Sequence, residues 1–389
     1  MDIDARIERR RRRGDSPRLI QEYEALSPVA HIDEPSDRGP VFEELLDHLD
    51  RVFDGRLPPN AYVYGPPGSG KSAIVTALFS RLSRLSTESR SVIHTSTRAA
   101  SPTAPEFVYV DRRETTSEFA FYHDVLDGLV DGAVPRHGVS TEELRSRLHD
   151  RLGDSRTGVV VAIDHVEEAN GVDGLIDLLA GLPSNVSWLA LGRSAPEEAA
   201  VSAYTATSIK VAAYQRQMLV DVLMTRASEG LARQALDHDL ARRIADWARG
   251  NAHDALAVLF VAADRAQEAR RDRLTESDVD AAMEEVPRPC VSLGRVLALP
   301  ANKQLVLRRL VDLDPGDRAS VTATTAAISS TDAVDLSAGT VKRVLYEMAE
   351  VGIVERVTAD THDGRGRPPS RIELGFPPTA FRRLYDLME

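Results

Sequence analysis

Tyr62-Val63-Tyr64-Gly65-Pro66-Pro67-Gly68-Ser69-Gly70-Lys71-Ser72 reads G-x-x-x-x-G-K-S. A short apolar strand runs into a glycine-rich turn. Beyond it, Ile74, Val75, Leu78, Phe79 and Leu82 recur at the three- and four-residue spacing of a helix with one buried face. Strand, turn and helix in this order make a phosphate-binding loop. The glycines let backbone N–H groups close on phosphate oxygens, and the helix turns its positive dipole end towards the anion. Gly65, Pro66, Pro67, Gly68, Ser69, Gly70, Lys71 and Ser72 are therefore the candidate nucleotide-binding residues. Lys71 is the point charge for the β/γ-phosphates and Ser72 a hydroxyl ligand for Mg²⁺. The cofactors expected are ATP or ADP with Mg²⁺.

Working outwards, Glu106-Phe107-Val108-Tyr109-Val110 reads as a strand. So do Val159-Val160-Val161-Ala162-Ile163, which ends in Asp164, and Ser187-Trp188-Leu189-Ala190-Leu191. Helical stretches separate them: Phe119 to Val130 and a helix opening at Thr141 with acids in its first turn. Apolar strands alternating with helices predict an α/β fold with a parallel sheet covered on both faces. The Ser/Thr-rich stretch Ser83 to Thr103 is expected to be a loop.

From Tyr214 to about Val286 the pattern is helical throughout. Gln215–Ser228, His238–Arg249, His253–Glu268 and Glu276–Glu285 each carry apolar residues at helical spacing, and Thr275-x-x-Asp278 has the form of an N-terminal cap. After a linker at Pro287-Arg288-Pro289-Cys290, three helical segments at 301–313, 319–329 and 338–350 precede Ile353–Val357 and Arg371–Leu374. That order is the plan of a winged helix-turn-helix. Its loop holds Arg365, Arg367 and Arg371, and its third helix Thr340, Lys342, Arg343 and Tyr346. Residues 300–389 hold 12 basic and 13 acidic residues, a net of −1 against −12 for the whole chain, so relative positive charge sits where a wing meets double-stranded DNA. Lys342, Arg343, Arg365, Arg367 and Arg371 are the candidate DNA contacts.

The 389 residues suit two or three domains. The division expected is a basic mobile tail at 1–20, a nucleotide-binding core at 21–213, a helical lid at 214–288 and a DNA-binding domain at 289–389. No apolar run approaches the roughly 18 residues that span a bilayer, so a cytoplasmic protein without a membrane partner is expected. Cys290 is the single cysteine, which excludes an internal disulfide and argues against a cysteine-based zinc site. The four lysines are at 71, 210, 303 and 342, and the other basic residues are arginine. Acidic, lysine-poor composition is that of a protein in molar salt, where a Debye length of about 3 Å screens self-repulsion and net acidity does not oppose DNA binding. A GC-rich coding bias is the competing reading.

With these parts in order, the chain resembles the archaeal origin-recognition and cell-division-control replication initiators of the AAA+ class. The resemblance runs from about Leu26 to the end. It is carried by Asn60-Ala61-Tyr62-Val63-Tyr64-Gly65, Val134-Pro135-Arg136-His137-Gly138-Val139-Ser140, Val211-Ala212-Ala213-Tyr214-Gln215, Leu223-Met224-Thr225-Arg226-Ala227 and Gly250-Asn251-Ala252-His253-Asp254-Ala255. It implies an AAA+ ATPase domain, a helical lid over the nucleotide and a winged helix that reads origin DNA. It further implies DNA contacts from the insert around Leu126 to Leu144 and an adenine flank at His31 to Arg38. Partners would include other initiator subunits or a replicative helicase.

The resemblance also exposes departures. The family follows the metal-site Asp with a Glu, whereas here the text is Asp164-His165-Val166-Glu167-Glu168. Asp164 retains the Mg²⁺ role. Glu167 either reaches the catalytic space, if the backbone stays extended, or caps the next helix. The polar Asn at the end of the next strand is replaced near Gly192-Arg193-Ser194, which makes Arg193 a candidate γ-phosphate contact or a solvated loop residue. His253 stands where the lid Arg is usual, as a weaker, titratable nucleotide contact or a surface or capping residue, and Ala199-Ala200-Val201-Ser202 lacks a finger Arg. Such losses imply nucleotide binding with weak or absent hydrolysis, in a DNA-binding initiator switched by its nucleotide. The alternatives are a partner-remodelling ATPase and an ATPase-silent paralogue acting as a transcriptional or plasmid-maintenance regulator.

Overall fold

Residues 18–31, 38–93, 105–130, 132–153, 158–167, 171–331, 334–358 and 370–388 are described by the computed structural model. They belong to two compact units, His31–Met218 and the combination of Met1–Ala30 with Leu219–Glu389.

The first unit is built on five strands: β1 (Ala61–Tyr64), β2 (Glu106–Asp111), β3 (Val159–Asp164), β4 (Val186–Gly192) and β5 (Thr207–Lys210). All neighbours are parallel, in the order β2-β3-β4-β1-β5. Every residue of β3 is buried, as an uninterrupted β-branched run requires of a strand covered on both faces. Alternation then feeds two cores. Tyr62, Val159, Val161, Ile163 and Trp188 join one, whereas Val63, Val160, Ala162, Leu189 and Leu191 join the other. Truncating a fully buried side chain such as Leu189 to Ala is expected to cost about 2–5 kcal/mol. Because β1 lies between β4 and β5 while the chain leaves it for distant β2, the carboxyl end of β1 is a topological switch point, where open parallel sheets bind ligands.

Helices α2 (Gly39–Leu49), α3 (Lys71–Ile93), α4 (Glu118–Asp127), α5 (Thr141–Gly153) and α6 (Gly171–Ala180) complete this unit. The expected loop from Ser83 is corrected: α3 continues through Ile93, and residues 94–104 lie outside the described residues. Serines and threonines lower helix propensity without forbidding it, and a helix already nucleated extends at little cost.

The second unit contains α1 (Tyr23–Leu26), α8 (His238–Ala248), α9 (Ala252–Glu268), α10 (Glu276–Glu285), α11 (Leu293–Leu297), α12 (Ala301–Asp312), α13 (Val321–Ser329), α14 (Ala338–Glu350), the antiparallel pair β6 (Val354–Thr358) and β7 (Ser370–Leu374), and α15 (Pro378–Met388). Helix α7 (Arg216–Gly230) spans the boundary between the units. Thr275 and Asp278 form a full capping box on α10, as their spacing predicts.

The elements on the two sides of the 287–290 linker pack together in this unit. Arg383 of α15 reaches Asp264 of α9 at 2.8 Å, Glu285 accepts from Thr379 N and Oγ1 at 2.8 and 3.0 Å, and Val291 N donates to Gly375 O at 2.7 Å. The tail expected at 1–20 is corrected at its end. Leu19 and Ile20 are buried, with Ile20 N donating to Gln267 Oε1 and Leu19 O accepting from Ala232 N. Residues 1–17 lie outside the described residues.

Candidate nucleotide site and nucleic-acid interface

The loop from Gly65 to Gly70 leaves the end of β1 and enters α3 at Lys71. Gly68 and Gly70 take φ of 67° and 86°, the left-handed region open to glycine. A Cβ on Gly70 would also lie 2.6 Å from the Tyr214 hydroxyl. Lys71 is 8% exposed and donates through Nζ to Gly65 O at 2.8 Å, Pro66 O at 3.0 Å and Ser69 Oγ at 3.4 Å. Burial lowers its ammonium to about 8, against the pull of Asp164 and with a further push from Arg193.

Asp164, 1% exposed, ends β3 beside this loop. Its Oδ2 accepts from Tyr109 Oη at 2.5 Å and its Oδ1 from His165 N at 2.7 Å, and the Ser72 hydroxyl bonds to it as well. Burial pushes this carboxyl up. The neighbouring His165 and the hydrogen bonds from Ser72 and Tyr109 more than reverse that, so it sits below its usual range. Ser72 and Asp164, the two predicted metal residues, are thus in contact. A hydroxyl and an ionised carboxylate supplemented by water suit Mg²⁺, a hard cation that keeps several of its waters.

His165 takes φ of 56°, unusual for a residue with a Cβ, and burial pushes its imidazole below the ordinary value. The backbone is therefore not extended through 164–167, as one reading of Glu167 required. Instead, Glu167 Oε1 accepts from the amides of Arg193 and Ser194 at the end of β4, while its Oε2 is buried without a hydrogen bond. Glu167 and Arg193 both act electrostatically on Lys71, so these predicted residues converge with the loop.

His253 belongs to the other unit. Its Nε2 accepts from Leu293 N at 3.0 Å, which leaves the proton on Nδ1, 3.2 Å from Asp254 Oδ1. Cys290 places a third metal-capable atom within 4.8 Å of these two residues. Its thiol is pushed up by burial and donates to Val291 O, so hydrogen bonds already satisfy the cluster and no ring lone pair is left for a metal.

Sequence reasoning gave no site role to Tyr109 or Tyr214 and placed Arg38 only at the end of an adenine flank. Tyr109 is found only through the β2–β3 register, which sets Asp111 beside Asp164. Arg38, 6% exposed, donates through Nη2 to Ser69 O at 2.6 Å and stacks 3.6 Å over Tyr214. Of the expected adenine flank, residues 32–37 lie outside the described residues.

On α14, Lys342 and Arg343 are exposed. Lys342 Nζ lies 5.6 Å from the Tyr346 ring and Arg356, also unforeseen, stacks on it at 4.3 Å. Arg343 pairs with Glu347 at 3.1 Å and Arg371 with Glu373 at 2.7 Å. Arg365 and Arg367 lie outside the described residues. Around the expected insert, Leu126 and Leu144 are buried whereas Arg136 and His137 are exposed.

Residues 37–191 match the AAA ATPase domain model, and residues 220–284 match the Cdc6 AAA+ ATPase-type lid domain. The chain carries an AAA+ domain and a Cdc6-type lid. Relatives agree in kind. The ORC1-type DNA replication protein 1 of Sulfolobus acidocaldarius is 25% identical over 310 residues, 76% of this chain and 74% of that protein. The ORC1-type DNA replication protein 6 of Halobacterium salinarum is 25% identical over 334 residues, 80% of this chain and 82% of that protein. The Aeropyrum pernix ORC1 protein, solved in complex with DNA, aligns with a TM-score of 0.61 at 24% identity over 94% of this chain and 96% of that one. The Aeropyrum pernix ORC2 protein, solved as ADPNP-ADP complexes, aligns with a TM-score of 0.55 at 16% identity over 95% and 98%. These structural likenesses show the fold. The domain matches and relatives together support the archaeal Orc1/Cdc6-type AAA+ family. No helix among the described residues is long and apolar enough to cross a membrane.

Proposed function

We propose that this AAA+ protein binds ATP or ADP with Mg²⁺ and grips double-stranded DNA through a C-terminal winged helix, with the nucleotide as a conformational switch and hydrolysis weak or absent. One observation carries the reading. Lys71 hydrogen-bonds the loop carbonyl of Gly65 and Ser72 bonds Asp164, an arrangement that suits a phosphate and metal cradle, while the residue after Asp164 is a histidine in the left-handed region. A cradle without its water-positioning carboxylate favours occupancy over turnover.

Supporting the DNA half are the helix-helix-helix-hairpin order of α12, α13, α14, β6 and β7 and the cations on α14. The relative whose structure was solved with DNA supplies the analogy. Within this reading Arg193 meets the γ-phosphate, His253 stands in the lid, and Arg365, Arg367 and Arg371 contact the DNA. Initiator subunits or a replicative helicase are the protein partners, in the cytoplasm of a salt-adapted archaeon.

Titration with a fluorescent ATP analogue is expected to show saturable binding that Lys71→Ala abolishes, together with phosphate release well below 1 s⁻¹, about the lower end of ordinary turnover. Release at or above that rate overturns the silent site, and absent binding overturns the whole reading. The same histidine favours a second reading, an ATPase-silent regulator of transcription or plasmid maintenance. Genomic occupancy at promoters or plasmid repeats instead of chromosomal origins selects it.

A further inference from the structure

Strand β7 uses one edge and leaves the other open. Gly375 N donates to Ile353 O at 3.2 Å, and the register sets Glu373 opposite Glu355 and Arg371 opposite Val357. Alternate residues of an antiparallel strand bond the partner, so Arg371 and Glu373 turn their backbone groups to β6 while Ile372 and Leu374 turn theirs away. Among the described residues, the N–H and C=O groups of Ile372 and Leu374 have no other hydrogen-bond partner.

This edge borders a groove of about 730 Å³ whose lining also includes Leu310, Phe376, Arg318 and Glu285. Arg318 donates through Nη2 to Val311 O at 2.6 Å, and its Nε is buried without a partner. Asp312 and Asp314 act on its guanidinium electrostatically, but no carboxylate hydrogen-bonds it among the described residues. An open strand edge is a template for a further strand, which proteins otherwise cover or blunt.

We propose that the groove binds a protein partner in extended form: a peptide of alternating apolar residues that adds as a third strand to β7 and sets a carboxylate against Arg318. The edge offers donors and acceptors in alternation, which only another peptide backbone matches. Duplex phosphates would satisfy the two N–H groups and leave both carbonyls unmet. Apolar side chains of the added strand cover Leu310 and Phe376, and its acid neutralises the cation. The lining of this groove belongs to the second unit and shares Arg371 with the candidate DNA contacts.

The test uses the full-length protein and a fluorescein-labelled Thr-Val-Glu-Val-Thr peptide capped at both ends, followed by anisotropy. Two control peptides are N-methylated on one or the other alternate set of amides. Saturable binding is expected, weakened about tenfold or more by one set and little by the other, because only one set faces β7. Replacing the peptide's Glu by Gln, or Arg318→Gln in the protein, is expected to weaken binding severalfold. Leu374→Pro removes an outward N–H without touching the β6 ladder and is expected to abolish binding while duplex DNA affinity is kept. Equal binding of both methylated peptides, or no saturable binding, overturns strand addition. Indifference to the Gln substitutions overturns the role of Arg318. Competition by duplex DNA without an effect of methylation reassigns the groove to nucleic acid.

Discussion

The Arg38 guanidinium lies 3.6 Å over the ring of Tyr214, whose hydroxyl in turn abuts Gly70, while Arg38 Nη2 holds the Ser69 carbonyl at 2.6 Å. Two residues 176 positions apart thereby clamp the phosphate loop from outside it. Arg38→Ala is expected to weaken ATP and ADP binding about tenfold, the worth of one charge-assisted hydrogen bond, with Tyr214→Leu close behind. Arg38→Lys should not rescue, because an ammonium neither stacks nor forks as a guanidinium does. Nucleotide titrations alongside circular dichroism check this; unchanged affinity in both variants would detach the clamp from the loop.

Tyr109 fixes the rotamer of Asp164 through Oδ2. Its own hydroxyl is pushed well above the ordinary range by burial and by Asp164, so it donates at every working pH. Tyr109→Phe should therefore leave nucleotide binding without Mg²⁺ unchanged and raise the Mg²⁺ concentration needed for half-maximal tightening severalfold. A Mg²⁺ titration at fixed nucleotide reads the difference.

Local chemistry carried much of this into the sequence. Glycines at 65, 68 and 70, the β-branched run of β3 and the Thr275/Asp278 box each state their structure within a few residues, since φ, burial and capping are local demands. Tyr109 and Arg38 act through partners 55 and 31 residues away, and those distances close only once strand register and loop path are fixed. The 287–290 linker reads as a domain border because prolines punctuate it. The contacts that join its two sides, such as Arg383 with Asp264, are pairs of ordinary charged residues that no periodicity marks. Of the two readings of Glu167, the one that needs an extended path through 165 fails because the positive φ of His165 bends the chain there, and the carboxylate meets the amides at the end of β4.

Tyr23 sets a pH limit on the second unit. Burial, then Asp264, raises its hydroxyl to about 12, whereas an exposed tyrosine titrates near 10. Between those values the unfolded chain has released a proton that the folded chain keeps, so stability falls as pH rises through that window. Urea unfolding at pH 8 to 11.5 is expected to show the decline and Tyr23→Phe to flatten it. At neutral pH the same change costs about 1 kcal/mol, from hydrogen bonds to Asp264 and Gln267.

Glu347 of α14 holds two cations, Lys303 of α12 at 3.0 Å and Arg343 of α14 at 3.1 Å. Each pairing competes with a phosphate for the same positive charge. Lys342→Ala and Arg343→Ala are expected to weaken duplex binding at every sequence and to reduce the slope of log affinity against log salt by about one each, the signature of a lost phosphate contact. Glu347→Gln should act in the opposite direction, tightening binding and steepening the slope, because it frees Arg343 without removing any contact to DNA. Fluorescence anisotropy on a random-sequence duplex across a salt series measures all three. A Glu347→Gln variant that binds no better than the parent would place α14 away from the nucleic acid, and the hairpin would then have to carry the interface alone.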